Sequence, residues 1–245
     1  MNKDGSDYAV LWSFSTNGAY PWGSLVEASD GELYGTTSVG GTNSGGTLFS
    51  LQKSGAGFSV LHHFGLFTDG RAPTGPLREA SDGALYGTTA TGGTNGGGTV
   101  FTLQRGGLGY RVLHSFPSTP DDGSLLGDGD GGLIEGIDGS LYGTTYGNGP
   151  PGTAFKLNTD GTGYEVIYRF TNTSDGTFPR AALVLGDDNA VYGTTTGGGG
   201  FGGGTIFRIG LLPTPLTIRR QPLSQTVSAG SNVTFRVLAA ALSRR

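Results

Sequence analysis

Leu33-Tyr34-Gly35-Thr36-Thr37 decides the fold, because the same five-residue stretch returns at 85–89, at 141–145 and, with valine at its head, at 191–195. The four starting positions lie 52, 56 and 50 residues apart. Each copy has the same surroundings. Eight residues earlier stands a leucine (Leu25, Leu77, Leu133, Leu183), and in between comes a turn pair, Asp30-Gly31, Asp82-Gly83, Asp138-Gly139 or Asp188-Asn189. A glycine-rich loop follows, then Thr-x-Phe-x-Leu/Ile beginning at Thr47, Thr99, Thr153 and Thr205. After three of the four copies an aromatic-x-Val stretch ends in phenylalanine: Phe58 to Phe64, Tyr110 to Phe116, Tyr164 to Phe170.

Each repeat thus carries four short runs rich in β-branched and aromatic residues, separated by turn formers, and no run has the 3.6-residue apolar stripe of a helix. Four-stranded units of about 50 residues are the arithmetic of propeller blades. The expected fold is all-β, a small β-propeller of four four-stranded blades. A blade cannot bury its two faces alone, so neighbours must stack. Tyr8-x-Val10-Leu11-x-x-Phe14 reads as a fourth strand with no first three, and the last repeat, Ala181 to Ile209, has three strands and no fourth. Pairing Tyr8–Phe14 with Gly204–Ile209 is therefore expected to close the ring and cover two bare edges; a larger ring, built from two chains as a homodimer or completed by a missing N-terminal portion, is the alternative.

The propeller is expected over 1–211. Residues 212–245 begin with Leu212-Pro213-Thr214-Pro215, a linker composition, and 218–237 look like the first two strands of a bacterial immunoglobulin-like domain. Glycine makes up 49 of 245 residues, and its periodic placement argues for a fold rather than disorder. With 15 Lys and Arg against 19 Asp and Glu, the net charge of −4 disfavours a nucleic-acid partner. No apolar run is long enough for a membrane span, and no apolar region of a signal peptide follows Met1. The absence of cysteine excludes disulfides, thiolate metal sites and thiol nucleophiles.

On Leu-Tyr-Gly-Thr-Thr, the Gly-Gly segment after it and Gly-Thr-x-Phe, residues 1–210 resemble the GloVer tandem-repeat family of bacterial β-propeller repeats. The resemblance implies a propeller and, for the parent family, a secreted or cell-surface location. It implies no particular activity.

The mid-strand glycines Gly35, Gly87, Gly143 and Gly193 are expected where an adjacent blade approaches closely. Period-two alternation puts His62 and His114 in the slot of Trp12 and Tyr168, as packing or hydrogen-bonding residues, and no Ser–His–Asp triad is indicated. Three groupings could carry chemistry. Asp121, Asp122, Asp128 and Asp130 lie in the glycine-rich connection into the third repeat, where carboxylates and carbonyls can surround calcium; Asp-Gly pairs are equally turn formers. Glu27, Glu79 and Glu135 recur seven residues before the motif tyrosine. Ring closure would gather them near the axis as candidate catalytic or metal-binding carboxylates, or each accepts hydrogen bonds from a neighbouring turn. Tyr20, Trp22, Tyr146 and Phe178, with Phe67 and Phe201, fall on the loop-bearing end and suit a glycan or other small molecule, or simply pack the blade tops. A ligand-binding or scaffold propeller with a structural calcium ion and no organic cofactor is the first reading. The alternative is a calcium-dependent hydrolase of lactones or esters, by analogy with larger propeller lactonases; a third is a partner docking on the outer strands or the tail.

Overall fold

A computed structural model of the chain describes residues 8–65, 68–117, 131–146, 151–171, 174–211, 217–220 and 238–240. Among these there is no helix; the chain is all-β with four antiparallel four-stranded sheets. The first comprises β1 (Val26–Glu27), β2 (Leu33–Thr37), β3 (Thr47–Leu51) and β4 (Ser59–His63), hydrogen-bonded in that order. The second repeats it with β5 (Arg78–Glu79), β6 (Ala84–Thr89), β7 (Gly96–Gln104) and β8 (Arg111–Pro117), and the third with β9 (Ile134–Glu135), β10 (Ser140–Thr145), β11 (Thr153–Asn158) and β12 (Glu165–Arg169). The fourth sheet differs. Its β14 (Val184–Leu185), β15 (Ala190–Gly197) and β16 (Thr205–Gly210) follow the same plan, but its fourth member is β13 (Thr177–Pro179), paired with the far half of β15. In the tail, β17 (Thr217–Arg220) pairs with β18 (Leu238–Ala240), and most of the expected immunoglobulin-like segment lies outside the described residues.

The repeated motif serves both sheet faces at once. On β2 the alternation turns Leu33, Gly35 and Thr37 to one face and Tyr34 and Thr36 to the other. Tyr34, Leu48 and Phe64 of the first sheet pack on Leu77, Leu85, Phe101 and Leu103 of the second. Tyr86, Val100 and Phe116 of the second meet Leu133, Leu141, Phe155 and Leu157 of the third, and Tyr142 of the third meets Leu183 and Val191 of the fourth. Three joints therefore use equivalent residues, so the sheets stack in sequence order as repeat units do.

The final threonine of the motif has a defined partner. Its hydroxyl lies 2.8 Å from that of the first threonine of Thr-x-Phe in the pairs Thr37–Thr47, Thr89–Thr99 and Thr145–Thr153, and 2.9 Å in Thr195–Thr205. It also accepts the backbone N–H of that second threonine, at 3.1 Å in the first three sheets. A buried hydroxyl is tolerated because it is bonded.

One expectation is corrected. The mid-strand glycines make room within their own sheet, not for an adjacent one. A Cβ on Gly87 would lie 2.5 Å from Cζ of Phe101, its cross-strand partner, and 2.9 Å from Leu77 Cδ2. The ring of Phe101 lies across the glycine, which a side chain there would displace.

Closure through strand pairing is not shown among the described residues: residues 8–14 form no ladder with β16 and run along the first sheet. Trp12 stacks on Phe58 at 4.1 Å and Phe14 meets Phe49 edge-on at 5.2 Å. Apolar contact with the first sheet holds this segment, while the strand-pairing groups of β16 bond to β15 alone among the described residues.

Candidate functional site: the aromatic loop end

The connections into the sheets build this end of the molecule. Each crosses the second strand's extension through a short bridge, Ala19 to Val39, Arg71 to Thr91 and, as β13, Thr177 to Gly197. The next residue (Tyr20, Ala72 or Phe178) then takes φ of 54°, 53° or 58° and is followed by proline. Left-handed backbone is uncommon outside glycine, and before proline the extended region is preferred. Backbone bonds enforce it: Ala72 N–H donates to Gly45 O and Phe178 N–H to Pro151 O, both at 2.7 Å, while Tyr20 O accepts Ser38 N–H at 3.1 Å.

The candidate aromatic residues separate into two groups. Tyr146 and Phe178 come together, ring centroids 5.0 Å apart, with the Arg180 guanidinium 4.4 Å from the Tyr146 centroid. Tyr20 and Trp22 project at the first sheet, 65% and 54% exposed. Trp22 lines a groove of about 290 Å³ with Val39, Ala72 and Ala90, between the first and second sheets. Phe201 is fully exposed on the glycine loop of the fourth sheet, and Phe67 lies outside the described residues. The exposed rings of Tyr20 and Trp22, and the half-buried Tyr146 under a cation, offer flat apolar faces with polar edges, the combination that orients small ligands.

Two of the three glutamate candidates serve the joints between sheets. Glu79 accepts the Ser29 N–H and hydroxyl, both at 2.8 Å, with Arg105 at 3.5 Å; Glu135 accepts the Ser81 N–H at 2.8 Å and its hydroxyl at 2.5 Å. Each glutamate thus ties its sheet to the turn of the sheet before it. Glu27 pairs with Lys53 of its own sheet. Among the described residues no three histidine, aspartate or glutamate side chains gather in a metal-binding group. Asp121, Asp122, Asp128 and Asp130 lie outside the described residues.

His62 is a packing and hydrogen-bonding residue. It stacks on Tyr110 at 3.7 Å and its Nε2 lies 2.9 Å from Asp69 Oδ1. The Tyr110 hydroxyl donates to the Asp69 carbonyl, and burial, reinforced by the Asp69 charge, pushes that phenol far above its usual range.

Sequence reasoning missed two features. One is Arg180 over Tyr146. The other is the bond from the motif tyrosine to the turn aspartate four residues earlier: Tyr34 to Asp30 at 2.8 Å, Tyr86 to Asp82 at 2.6 Å, Tyr142 to Asp138 and Tyr192 to Asp188 at 2.9 Å. The invariant four-residue spacing was its signal. Burial would raise Asp30 and Asp138, but the donors around them outweigh it and hold both carboxyls below the ordinary value. Asp188 is lowered chiefly by Arg208 and then by Tyr192. Burial and the Asp82 bond carry Tyr86 up to about 12.

The Gloeobacter/Verrucomicrobia repeat pattern matches residues 1–129, just over half of the chain. The chain belongs to the Gloeobacter/Verrucomicrobia repeat family. No curated protein matches it in sequence. Among solved structures, this family member is similar to a putative glucose dehydrogenase-type oxidoreductase from Thermus thermophilus, at 18% identity over 74% of this chain and 60% of that one, TM-score 0.49. A gluconolactonase from Xanthomonas campestris gives 15% identity, 75% and 57% coverage and a TM-score of 0.46. The nidogen–laminin complex gives 13% identity, 72% and 57% coverage and a TM-score of 0.49. The chain spans 57% to 60% of the length of these three.

Proposed function

We propose that this Gloeobacter/Verrucomicrobia repeat chain is a β-propeller scaffold that binds a small molecule, a sugar or similar hydroxylated ring, on its aromatic loop end, with the ring completed by residues 8–14 adding to β16. The observation that carries this reading is the exposure of the loop-end aromatic residues: Tyr20 and Trp22 stand 65% and 54% exposed, and Trp22 lines the groove between the first and second sheets. Rings that do not pack the blade tops leave flat apolar faces open to a ligand. The glutamates are engaged in protein contacts, so no observation favours the hydrolase alternative over binding.

The two tryptophans, Trp12 and Trp22, supply the assay. In a Trp12→Phe background, titration with a panel of mono- and oligosaccharides is expected to change Trp22 fluorescence for at least one class. Tyr20→Ala should then weaken that binding by tenfold or more, while Phe178→Ala, in the other aromatic group, should leave the Trp22 signal unchanged. If no sugar perturbs Trp22, or Tyr20→Ala binds unchanged, the reading fails. The cation part of the proposal rests on Asp121, Asp122, Asp128 and Asp130. Calcium should raise the melting temperature, and Asp128→Asn should abolish the rise.

A further inference from the structure

The two ends of the stack are complementary halves of the joint that the chain forms three times internally. Val184, Tyr192 and Ile206 stand on the fourth sheet where Val26, Tyr34 and Leu48 stand on the first. Leu48, Val100 and Ala154 are completely buried by the next sheet, whereas the equivalent Ile206 is 83% exposed and Val184 64%. At the other end Leu25 is 51% exposed, against 6% or less for Leu77, Leu133 and Leu183. Beside Leu25, residues 8–14 and the first sheet enclose an apolar groove of about 400 Å³ lined by Trp12, Phe14, Phe49 and Leu51. That is the position in which Leu77, Phe101 and Leu103 receive Tyr34.

Residues 8–14 pack on the first sheet as the outer strands of the first and second sheets pack on the sheet that follows each. Trp12 on Phe58 repeats His62 on Tyr110 and His114 on Tyr164; Phe14 against Phe49 at 5.2 Å repeats Phe64 against Phe101 at 5.1 Å and Phe116 against Phe155 at 5.2 Å. Conversely, the edge of β16 has a groove of about 200 Å³ lined by Tyr168, Thr205, Ile206 and Phe207, where each other sheet carries its outer strand. The β3–β4 register, Phe49 opposite Val60 and Ser50 opposite Ser59, sets Phe207 opposite Val10 and Arg208 opposite Ala9.

The polar residues match as well. At the first joint Arg105 reaches the Ser29 hydroxyl at 2.6 Å. At the third, the positions of Ser29 and Glu79 are held by Ile137 and Leu185, so no Ser–Glu bond forms there. At the open ends, Asp187 replaces Ser29 and Lys53 replaces Arg105, an opposite-charge pair. Lys53 also holds Glu27, whose charge would otherwise face Asp187.

We infer that two copies of this chain associate head to tail, the 8–14 segment and first sheet of one docking on β16 and the outer face of the fourth sheet of the other, twice, to give a ring of eight sheets. This rests on the propeller reading above. The occupant is a second copy because the chain's own two ends do not pair in the structure and are both exposed, while carrying the only unused halves of the joint among the described residues. Head-to-tail contacts close into rings when the rotation permits, and eight blades lie within the range of known propellers.

The chain has no cysteine, so engineered thiols report the pairing cleanly. A copy carrying Ala9→Cys is mixed with one carrying Arg208→Cys and oxidised; a covalent dimer of twice the 25.0 kDa chain mass is expected. A chain carrying both substitutions should also yield intermolecular crosslinks. In sedimentation velocity the cysteine-free protein should dimerise. Ile206→Asp, Lys53→Asp and Asp187→Lys should each shift it to monomer, and the Lys53→Asp/Asp187→Lys pair should restore the dimer. A doubly substituted chain that crosslinks only within itself overturns the second-copy inference but leaves the propeller reading standing. A monomer that forms no crosslink of either kind, with β16 amides unprotected from exchange, overturns both.

Discussion

Gly87→Ala tests the packing logic of the repeat at its tightest point. The new methyl would lie 2.5 Å from Phe101 Cζ, 2.9 Å from Leu77 Cδ2 and 3.0 Å from Phe101 Cε1. Ordinary carbon contacts are about 3.5–4.0 Å, so the ring must retreat by about 1 Å. It has nowhere to go, because Phe101 is completely buried, with Phe64 at 5.1 Å and Tyr110 at 5.7 Å. Overpacking of this kind costs up to about 3 kcal/mol, while alanine recovers up to about 1 kcal/mol by its lower conformational entropy when unfolded. The expected net loss is about 2 kcal/mol, or about 4–8 °C in a chain of this size. Gly203→Ala, which has nothing within 4 Å, is the control and should stay within about 0.5 kcal/mol. Differential scanning calorimetry measures both. Phe101→Leu shortens the offending group, so the double variant should lose less than the sum of the singles by about 1 kcal/mol. An additive double, or a Gly87→Ala no worse than Gly203→Ala, would refute the argument.

Thr89→Val should cost about 1–3 kcal/mol in chemical denaturation, because it strands the buried Thr99 hydroxyl and N–H, whereas Thr89→Ser should be much milder. Glu79→Ala should lower stability measurably by removing two bonds across the first joint; Glu27→Ala, losing only an exposed ion pair with Lys53, should cost less than about 0.5 kcal/mol. Asp30, Asp138 and Asp188 have folded pKa values below the ordinary carboxylate value. Their stabilisation is therefore complete above the unfolded value of about 4 and is lost as pH falls through the lower folded values. Unfolding monitored from pH 7 to pH 2 should show this loss, and Asp138→Asn should flatten it in proportion to one site.

In the first three sheets strand number, strand order and the turn positions were legible because the repeat states them in register; β13 of the fourth sheet was not, since Thr177–Pro179 lies in a connection rather than in the repeated pattern. One copy of Leu-Tyr-Gly-Thr-Thr would have been an ambiguous apolar run; four in register with Asp-Gly and Thr-x-Phe left no helical reading. What lies between units was harder to see. Alternation puts Gly35 on a face but does not say whether Phe49 of the same sheet or a residue of the neighbour fills the space beside it. The glutamates recur plainly, yet their partners, Ser29 and Ser81, are 50 and 54 residues away and belong to another unit. The aromatic residues of the loop end could be named, but not their grouping. Left-handed backbone at Tyr20 and Phe178 follows from the bridges and the amides around them, and Arg180 reaches Tyr146 only through that path.

Among the described residues the sheets meet in sequence order through joints that share the same apolar positions, so chain length and architecture are loosely coupled. Inserting or removing a whole fifty-residue unit would alter the number of joints while keeping those positions in each. The same property means that a gene encoding such a stack can lengthen by duplication without passing through an unfoldable intermediate. Selection is then left to act on the two terminal surfaces and on the loop end, where the copies have already ceased to be alike.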